Sequence, residues 1–144
     1  MPMIDITASD GLFSPANEAV LLQRTTDCLL QWEKVSGIPY AVANTGAFLN
    51  VLPKRRTASG GKGAGVVRIQ VLTPAKSLSQ EQRSGIAAGL TDIVRELADD
   101  ADIRERTWVL FHEAVDGGWG IAGKAFTNAD LVDAVRASAI ASRR

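Results

Sequence analysis

The chain has 144 residues, of which 46% are hydrophobic and 22% are charged. This length and composition are typical of one compact globular domain with a sizeable core. The 16 basic residues balance the 16 acidic ones, which excludes a global field that would attract nucleic acid or an anionic membrane. One cysteine and one histidine cannot supply a zinc site of the usual kind or an intrachain disulfide.

The sequence shows neither a targeting segment nor a membrane span. Asp5 and Asp10 interrupt the N-terminus before an apolar run of signal-peptide length develops. No window approaches the roughly 18 uninterrupted apolar residues of a transmembrane helix. We therefore expect one domain over residues 1 to 144, located in the cytoplasm, where a lone cysteine stays reduced.

The first half of the chain has a β-α-β pattern. Residues 3 to 8 alternate between apolar and polar, which is the period of a half-buried strand. Ser14 is a predicted N-cap and is followed by a proline, so a helix is predicted over residues 15 to 34. Residues 40 to 52 are predicted to be extended, and residues 53 to 65 are too rich in glycine and charge to belong to the core.

The second half repeats this pattern. Residues 66 to 72 predict a strand, and Ser79 with a glutamine three residues later predicts a capping box that begins the next helix. Residues 107 to 113 form the strongest strand pattern in the chain. Asn128 is the predicted N-cap of a short C-terminal helix over residues 129 to 142.

The two halves align as pseudo-repeat units of residues 2 to 62 and 66 to 124, with Ile6 falling on Ile69. Two β-α-β units with right-handed crossovers predict an α+β fold, in which two helices cover one face of a four-stranded sheet. The other face would be left bare and apolar. We therefore expect this face to be buried in an oligomer, most simply a three-fold ring.

Pro2 makes the start of the chain a candidate catalytic site. If the initiator Met1 is removed, as a small second residue normally permits, the proline nitrogen becomes a free secondary amine. An α-amino group titrates at about 7.7 to 8.0, and an apolar wall favours its uncharged form. The amine can then act as a base near neutral pH, although a frayed terminus without any function is the open alternative.

The second half ends with the segments WVLFHE (residues 108 to 113) and GWGIAGK (residues 118 to 124). Together with Pro2 and the repeat, these segments resemble the tautomerase superfamily, in which a strand ending in Glu precedes an aromatic residue and Gly-Ile-x-Gly. Two units in one chain resemble the fused or long-chain members. The resemblance covers residues 2 to 126. It implies a ferredoxin-like fold, a homotrimer, Pro2 as the catalytic general base or acid, a small oxo or enol acid as substrate, and no cofactor or metal.

Arginines that bind the substrate carboxylate in relatives are replaced here, one of them by Trp108. We predict instead that Arg55 or Arg56 binds the carboxylate, because a guanidinium group matches it at two points. Lys76 is a further candidate cation. Alternatively, the two arginines belong to a charged loop that is exposed to solvent and has no role in binding.

Two further residues are candidates for binding the substrate. Trp119 is predicted to form the apolar wall beside Pro2, with an interface anchor as the alternative. Asn50 can hydrogen-bond a carbonyl oxygen, or instead cap a loop. His112 and Cys28 are expected to be structural.

The sequence therefore predicts a cofactor-independent tautomerase acting on a 2-oxo or enol acid, with Pro2 as the general base. If Pro2 stays protonated, the same predicted site is suited to a decarboxylase, or to a hydratase or dehalogenase acting on a small carboxylic acid. A catalytically inactive, ligand-binding trimer of the same fold is a further alternative, which the missing arginines leave open.

Overall fold

The computed structural model describes the whole chain, Met1–Arg144. Short 3-10 helices at Lys54–Arg56 and Ile103–Arg106 interrupt the connections between the main elements. None of the helices has the length and apolar character needed to cross a membrane. In chain order the main elements are β1 (Met3–Ser9), α1 (Pro15–Trp32), α2 (Pro39–Ala43), β2 (Gly46–Leu52), β3 (Ala58–Ser59), β4 (Lys62–Gly63), β5 (Val67–Pro74), α3 (Gln80–Leu97), β6 (Thr107–Ala114), β7 (Trp119–Ile121), β8 (Lys124–Phe126) and α4 (Asn128–Ala141).

The main sheet has the strand order β2-β1-β5-β6, so the two repeat units meet at the centre. Within each unit the strands are parallel, whereas β1 and β5 run antiparallel with Ile6 opposite Ile69. These two residues are equivalent in the sequence repeat, so they mark a pseudo-two-fold axis. The predicted α+β fold, a tandem β-α-β repeat with two helices on one face of a four-stranded sheet, is confirmed.

Helix capping follows the sequence closely. The Ser14 side chain accepts a hydrogen bond from the backbone N–H of Asn17, and Ser79 forms the predicted capping box with Gln82. These bonds satisfy N–H groups that have no partner within the helix. Both α1 and α3 consequently begin where the sequence predicts, and each has 18 residues.

The core lies between the sheet and the two long helices. The inward-facing side chains of β1 and β5, together with one stripe of each helix, form one cluster that is fully or almost fully buried. The helices approach closely, because Gly85 and Gly89 of α3 face Trp32 and Cys28 of α1. Burial raises the pKa of the Cys28 thiol above its usual value, so the predicted core position of this residue fits the structure.

Two predictions of local structure are wrong. Residues 40 to 43 are helical rather than extended, because Pro39 starts the short helix α2 and its ring preorganises the first turn. Thr127, not Asn128, is the N-cap of α4, since its hydroxyl accepts a bond from the N–H of Asp130 in a capping box. The helix α4 then packs against α2, where the Ser138 hydroxyl accepts a hydrogen bond from the N–H of Tyr40 at 3.1 Å.

The sheet face away from the helices is open but is not uniformly apolar, contrary to the sequence-based expectation. Strand alternation places Phe48, Asp5, Gln70 and Leu110 in one row across this face. Phe48 is 54% exposed and Leu110 is 43% exposed at the two ends of the row, with polar residues between them. Because β1 and β5 carry polar side chains here, the open face has two apolar margins and a polar centre.

The contact between α1 and α3 generates a stability prediction. Gly85→Ala normally stabilises a helix interior by about 1 kcal/mol. Here the added Cβ would overlap the Trp32 indole, so we expect a net destabilisation of about 1 to 3 kcal/mol in urea unfolding.

The control is the same substitution in a Trp32→Ala background, where the clash is absent and Gly85→Ala should be neutral or stabilising. A stabilising effect of Gly85→Ala in the unaltered chain would contradict the close helix contact.

Candidate active site

The N-terminus is buried at one end of the central strand β1. Met1 and Pro2 both lie in the interior, and the carbonyl oxygen of Pro2 accepts a hydrogen bond from Gly46 N–H at 3.2 Å. This bond extends the β1–β2 ladder to the start of the chain. Met1 packs in a second apolar cluster with Leu30, Ala41, Trp119 and Leu131. The terminus is thus held in place, and the alternative of a frayed end does not fit the structure.

A carboxylate faces the terminal amine. Glu33 Oε2 lies 2.6 Å from the Met1 ammonium nitrogen, and the two side chains are only 9% and 4% exposed. Glu33 is the C-cap of α1, and its own N–H bonds to Leu29 O, so the helix end fixes its position. The terminal ammonium is the only cation with which Glu33 forms an ion pair in the chain.

The turn after α1 shapes the wall next to Glu33. Lys34 has a left-handed backbone with φ of 58°, and Val35 N–H bonds back to Leu30 O at 3.0 Å. With the Lys34 N–H bonded to Gln31 O, this is a Schellman motif. The motif ends the helix and directs the chain so that Val35 lies beside Glu33.

Beside the terminus lies a cavity of about 500 Å³, a volume within the usual range for small-molecule sites. Its walls come from the end of α1, from α2, from the loop after β5 and from α4. The lining is mainly apolar, with two cations and one carboxylate. The lining residues are Met1, Glu33, Val35, Ala41, Pro74, Ala75, Lys76, Ser77, Asn128, Leu131, Val132, Val135 and Arg136.

Two side chains hydrogen-bond the backbone of the loop that carries Lys76. Lys76 has a left-handed backbone with φ of 59°, and its N–H donates to Glu113 Oε1 at 3.0 Å. The Asn128 side-chain amide donates to Ala75 O at 2.9 Å, which ties the loop to the start of α4. The Lys76 ammonium therefore sits on a fixed backbone at the cavity wall.

The helix α4 supplies the second cation of the cavity, Arg136. Its nearest acidic partner is Asp133, at 4.0 Å, and both side chains are largely exposed. Such an exposed pair contributes little to stability. The guanidinium group is therefore available for two-point binding of a carboxylate.

The structure brings some of the sequence-predicted residues together and separates others. Trp119, 6% exposed, packs in the cluster that contains Met1, and Lys76 lines the cavity. Arg55 and Arg56 follow β2 at the opposite end of the sheet, where Lys54 N–H donates to the Asp10 carboxylate at 2.8 Å. Along β1 this end is about 20 Å from Pro2.

Two other sequence-predicted residues lie on the open face of the sheet. Asn50 pairs with Thr7 in the middle of the ladder and is exposed, so within one chain it is remote from Pro2. His112 lies 3.3 Å from the Gln70 amide nitrogen, with its imidazole Nε2 as the contacting atom. Neither residue belongs to the cavity.

Sequence reasoning missed Glu33 and Arg136. A signal for Glu33 existed, because a carboxylate at a helix C-terminus opposes the helix dipole and no basic residue occupies the last turn of α1. No signal identified Arg136, because nothing in the sequence shows that α4 folds back over the start of the chain.

The pseudo-equivalent end of the molecule has no free terminus. There the chain continues through Gly65, whose carbonyl oxygen accepts a hydrogen bond from Arg106 Nε at 2.8 Å. The Arg106 guanidinium also pairs with Asp100, which follows α3. The pKa of Asp100 is lowered, chiefly by the hydrogen bond from Asp102 N–H and further by Arg106. A carboxylate after each long helix thus binds a cation, but only in the first unit is that cation a terminal amine.

Comparison with known proteins covers the second unit most directly. The family model described as Tautomerase enzyme matches residues 66–129, which contain the second β-α-β unit. No curated protein matches the chain.

The fold of the whole chain is similar to those of several solved structures. Pt0534 inactivated by 2-oxo-3-pentynoate has a TM-score of 0.73 at 21% identity, covering 90% of this chain and 98% of that one. Native fused 4-OT has a TM-score of 0.70 at 18% identity, covering 85% and 94%. A macrophage migration inhibitory factor-like protein from Entamoeba histolytica has a TM-score of 0.69 at 14% identity, covering 87% and 98%.

The family match and the shared fold agree with the resemblance seen in the sequence. The similarity spans both β-α-β units rather than the matched unit alone, because the solved structures are covered almost completely. Residues 66–129 thus match the tautomerase family model, and the chain as a whole has the two-unit fold of structures such as fused 4-OT.

Proposed function

We propose that the chain, with Met1 removed, is a cofactor-independent tautomerase that uses the Pro2 amine to move a proton on a small 2-oxo or enol acid. One observation carries the proposal. The buried N-terminus borders a mainly apolar cavity that also holds Lys76 and Arg136. The Pro2 nitrogen is bonded directly to Met1, so removal of Met1 leaves a secondary amine beside that cavity.

The cavity offers each group that the reaction requires. Lys76 and Arg136 are positioned to bind the substrate carboxylate, and their positive charge stabilises the enolate that forms next to it. In the direction from the keto acid to the enol, the uncharged amine removes a proton from the carbon α to the carbonyl, and the C–H electron pair becomes the enolate double bond; ketonisation of the enol is the reverse reaction. The same amine then returns the proton at its new position. Such proton transfer typically contributes about 10² to 10⁴ in rate.

Glu33 favours a second candidate reaction. The Glu33 carboxylate lies beside the terminal amine, so it is available to pair with an ammonium at the start of the mature chain. A protonated Pro2 suits acid chemistry on a small carboxylic acid, which includes decarboxylation and the addition of water by a hydratase or dehalogenase. This alternative uses the same proton-transfer residue, Pro2, and the same cavity and cations. Only the direction of the first proton transfer changes.

We also propose that the chain forms a homotrimer. Related fused 4-OT proteins form symmetric and asymmetric trimers. In this chain the strands β2 and β6 are at the edges of the sheet, and the apolar margins of the open face lie on these strands. Free edges and exposed apolar residues favour association. In a trimer, Arg55, Arg56 and Asn50 can serve the Pro2 cavity of a neighbouring chain, although they are remote from their own.

The proposal for Pro2 predicts a specific loss of activity. We expect mass spectrometry to show that Met1 is absent and that Pro2→Ala lowers the rate of phenylenolpyruvate ketonisation about 10²- to 10⁴-fold. We also expect one equivalent of 3-bromopyruvate to alkylate Pro2. Retained Met1, or an unchanged rate in Pro2→Ala, would instead support an inactive ligand-binding protein.

The control for the labelling experiment is Cys28→Ala. Cys28 is the only cysteine, and burial raises the pKa of its thiol, so it should react slowly. Labelling and inactivation should be unchanged in this variant. If Cys28→Ala abolishes the labelling, the reactive group is the thiol and the assignment to Pro2 is wrong.

The assignment of the two cations predicts weaker substrate binding in their variants. Lys76→Met and Arg136→Met should each raise KM about ten- to a hundredfold, because a hydrogen bond to a charged group contributes about 1.5 to 3 kcal/mol. Arg143→Met, at the exposed C-terminus, is the matched control and should leave KM unchanged. If the KM of all three variants equals that of the unaltered chain, neither Lys76 nor Arg136 binds the substrate carboxylate.

The proposed trimer predicts a mass of three times the 15.3 kDa of the chain in light scattering. Phe48→Arg combined with Leu110→Arg should produce folded monomers, because both apolar margins of the open face then carry charge. Val20→Arg is the control, since Val20 is 41% exposed on α1 and lies outside that face. A monomeric unaltered chain would contradict the proposal.

A further inference from the structure

We infer that Glu33 is a positioning residue that pairs with the Pro2 amine of the mature chain and holds it in the protonated form within the cavity. This inference rests on the proposed function, because it requires that Met1 is removed. It goes beyond that function in naming the group that sets the resting protonation state of the amine.

The first step is the position of Glu33. A glutamate at the C-cap of a helix faces the negative end of the helix dipole, which disfavours a carboxylate there. Its side chain is 9% exposed, so it is also largely removed from water. A buried charge in such a place needs a partner. In this chain the terminal ammonium is that partner, at 2.6 Å.

The second step is the exchange of one amine for another. When Met1 is removed, Glu33 loses the only cation with which it forms an ion pair. The Pro2 ring nitrogen lies one peptide unit further along, within about 4 Å of the former position of the Met1 amine. A glutamate side chain can follow over that distance by changing rotamer. The new terminus is thus the nearest cation available to it.

The third step concerns the other charged groups around the amine. Lys76, on the loop after β5, and Arg136, on α4, line the same cavity and oppose protonation of the amine. Tyr40, on α2, contributes a phenol that packs partly buried against the Met1 cluster. Glu33 is the only acidic residue in the cavity lining, and it makes the shortest contact with the terminus. It is therefore the one anionic group of the lining that can pair with the amine.

The consequence is a defined order of proton transfers. In the resting site the ammonium carries the proton, and it delivers that proton to the carbon of an enol substrate. The N–H bond breaks, a C–H bond forms, and the enol O–H proton passes through solvent back to the amine as the carbonyl forms. The site thus favours ketonisation of enols, or acid-assisted reactions, over removal of a proton from a ketone.

The test is the pH dependence of alkylation by 3-bromopyruvate, which requires the uncharged amine. In Glu33→Gln the pH of half-maximal alkylation should move lower, and the rate at neutral pH should rise about tenfold, because a nearby opposite charge no longer favours the ammonium. Glu33→Asp should restore the profile of the unaltered chain. The control Glu18→Gln, in the first turn of α1, should have no effect.

The alkaline limb of the ketonisation profile supplies a second readout. It should move to lower pH in Glu33→Gln, and a merely structural role of Glu33 would not produce this shift. If both profiles are unchanged in a variant that circular dichroism shows to be folded, the inference is wrong even when Pro2→Ala is inactive. If Pro2→Ala retains full activity, the proposed function fails instead. If Glu33→Gln does not fold, Glu33→Asp provides the test. An alkylation profile of Glu33→Asp that differs from that of the unaltered chain would then contradict the inference.

Discussion

The antiparallel pairing of β1 with β5 determines the rest of the structure. Because Ile6 lies opposite Ile69, the start of one repeat unit lies beside the end of the strand of the other. The N-terminus is therefore next to the loop that carries Lys76 rather than at a free edge of the sheet. A shift of this register by one residue would turn Ile4 and Ile6 out of the core. Burial of these residues thus fixes both the fold and the location of the site.

The pseudo-two-fold axis makes the two ends of the molecule comparable, and the difference between them is chemical. At the end near Gly65 the chain is continuous, and the Ser9 hydroxyl, the Thr57 hydroxyl and the Ala64 carbonyl form a closed hydrogen-bond network. Arg106 then occupies the position of a cation beside Asp100. At the other end a terminal amine occupies the corresponding position beside Glu33. The two repeat units therefore have similar arrangements of a carboxylate beside a cation, and only in the first unit is that cation a terminal amine.

Much of the fold could be predicted because its local signals agree. The alternation in β1 and β5, the caps at Ser14 and Ser79 and the repeat all indicate the same architecture, and such consistency is characteristic of natural sequences. The short helix α2 was missed because a proline followed by apolar residues also fits a strand. Its helical form depends on packing against α4, which is a tertiary contact.

The candidate site was less predictable than the fold. Pro2 was identified by its place after the initiator Met1, and Lys76 and Trp119 were identified in the segments that resemble the family; in the structure Trp119 and Lys76 lie near the start of β1. Arg136 was missed because α4 lies beyond the repeat, so no equivalent element indicates where it docks. Glu33 was missed because its role depends on a terminus 32 residues away in sequence, which no local pattern reveals.

The cations of the molecule fall into two groups that differ in their dependence on assembly. Lys76 and Arg136 line the cavity beside the N-terminus of their own chain, so their place there does not depend on assembly. Arg55 and Arg56 lie at the opposite end of β1, so they can reach a Pro2 amine only in a neighbouring chain. Under the proposed function, a monomeric variant would therefore keep the first group beside the cavity and lose any contribution of the second. The helix α4 is what gives a single chain its own cavity, because it adds an apolar wall and a guanidinium group to the two repeated units.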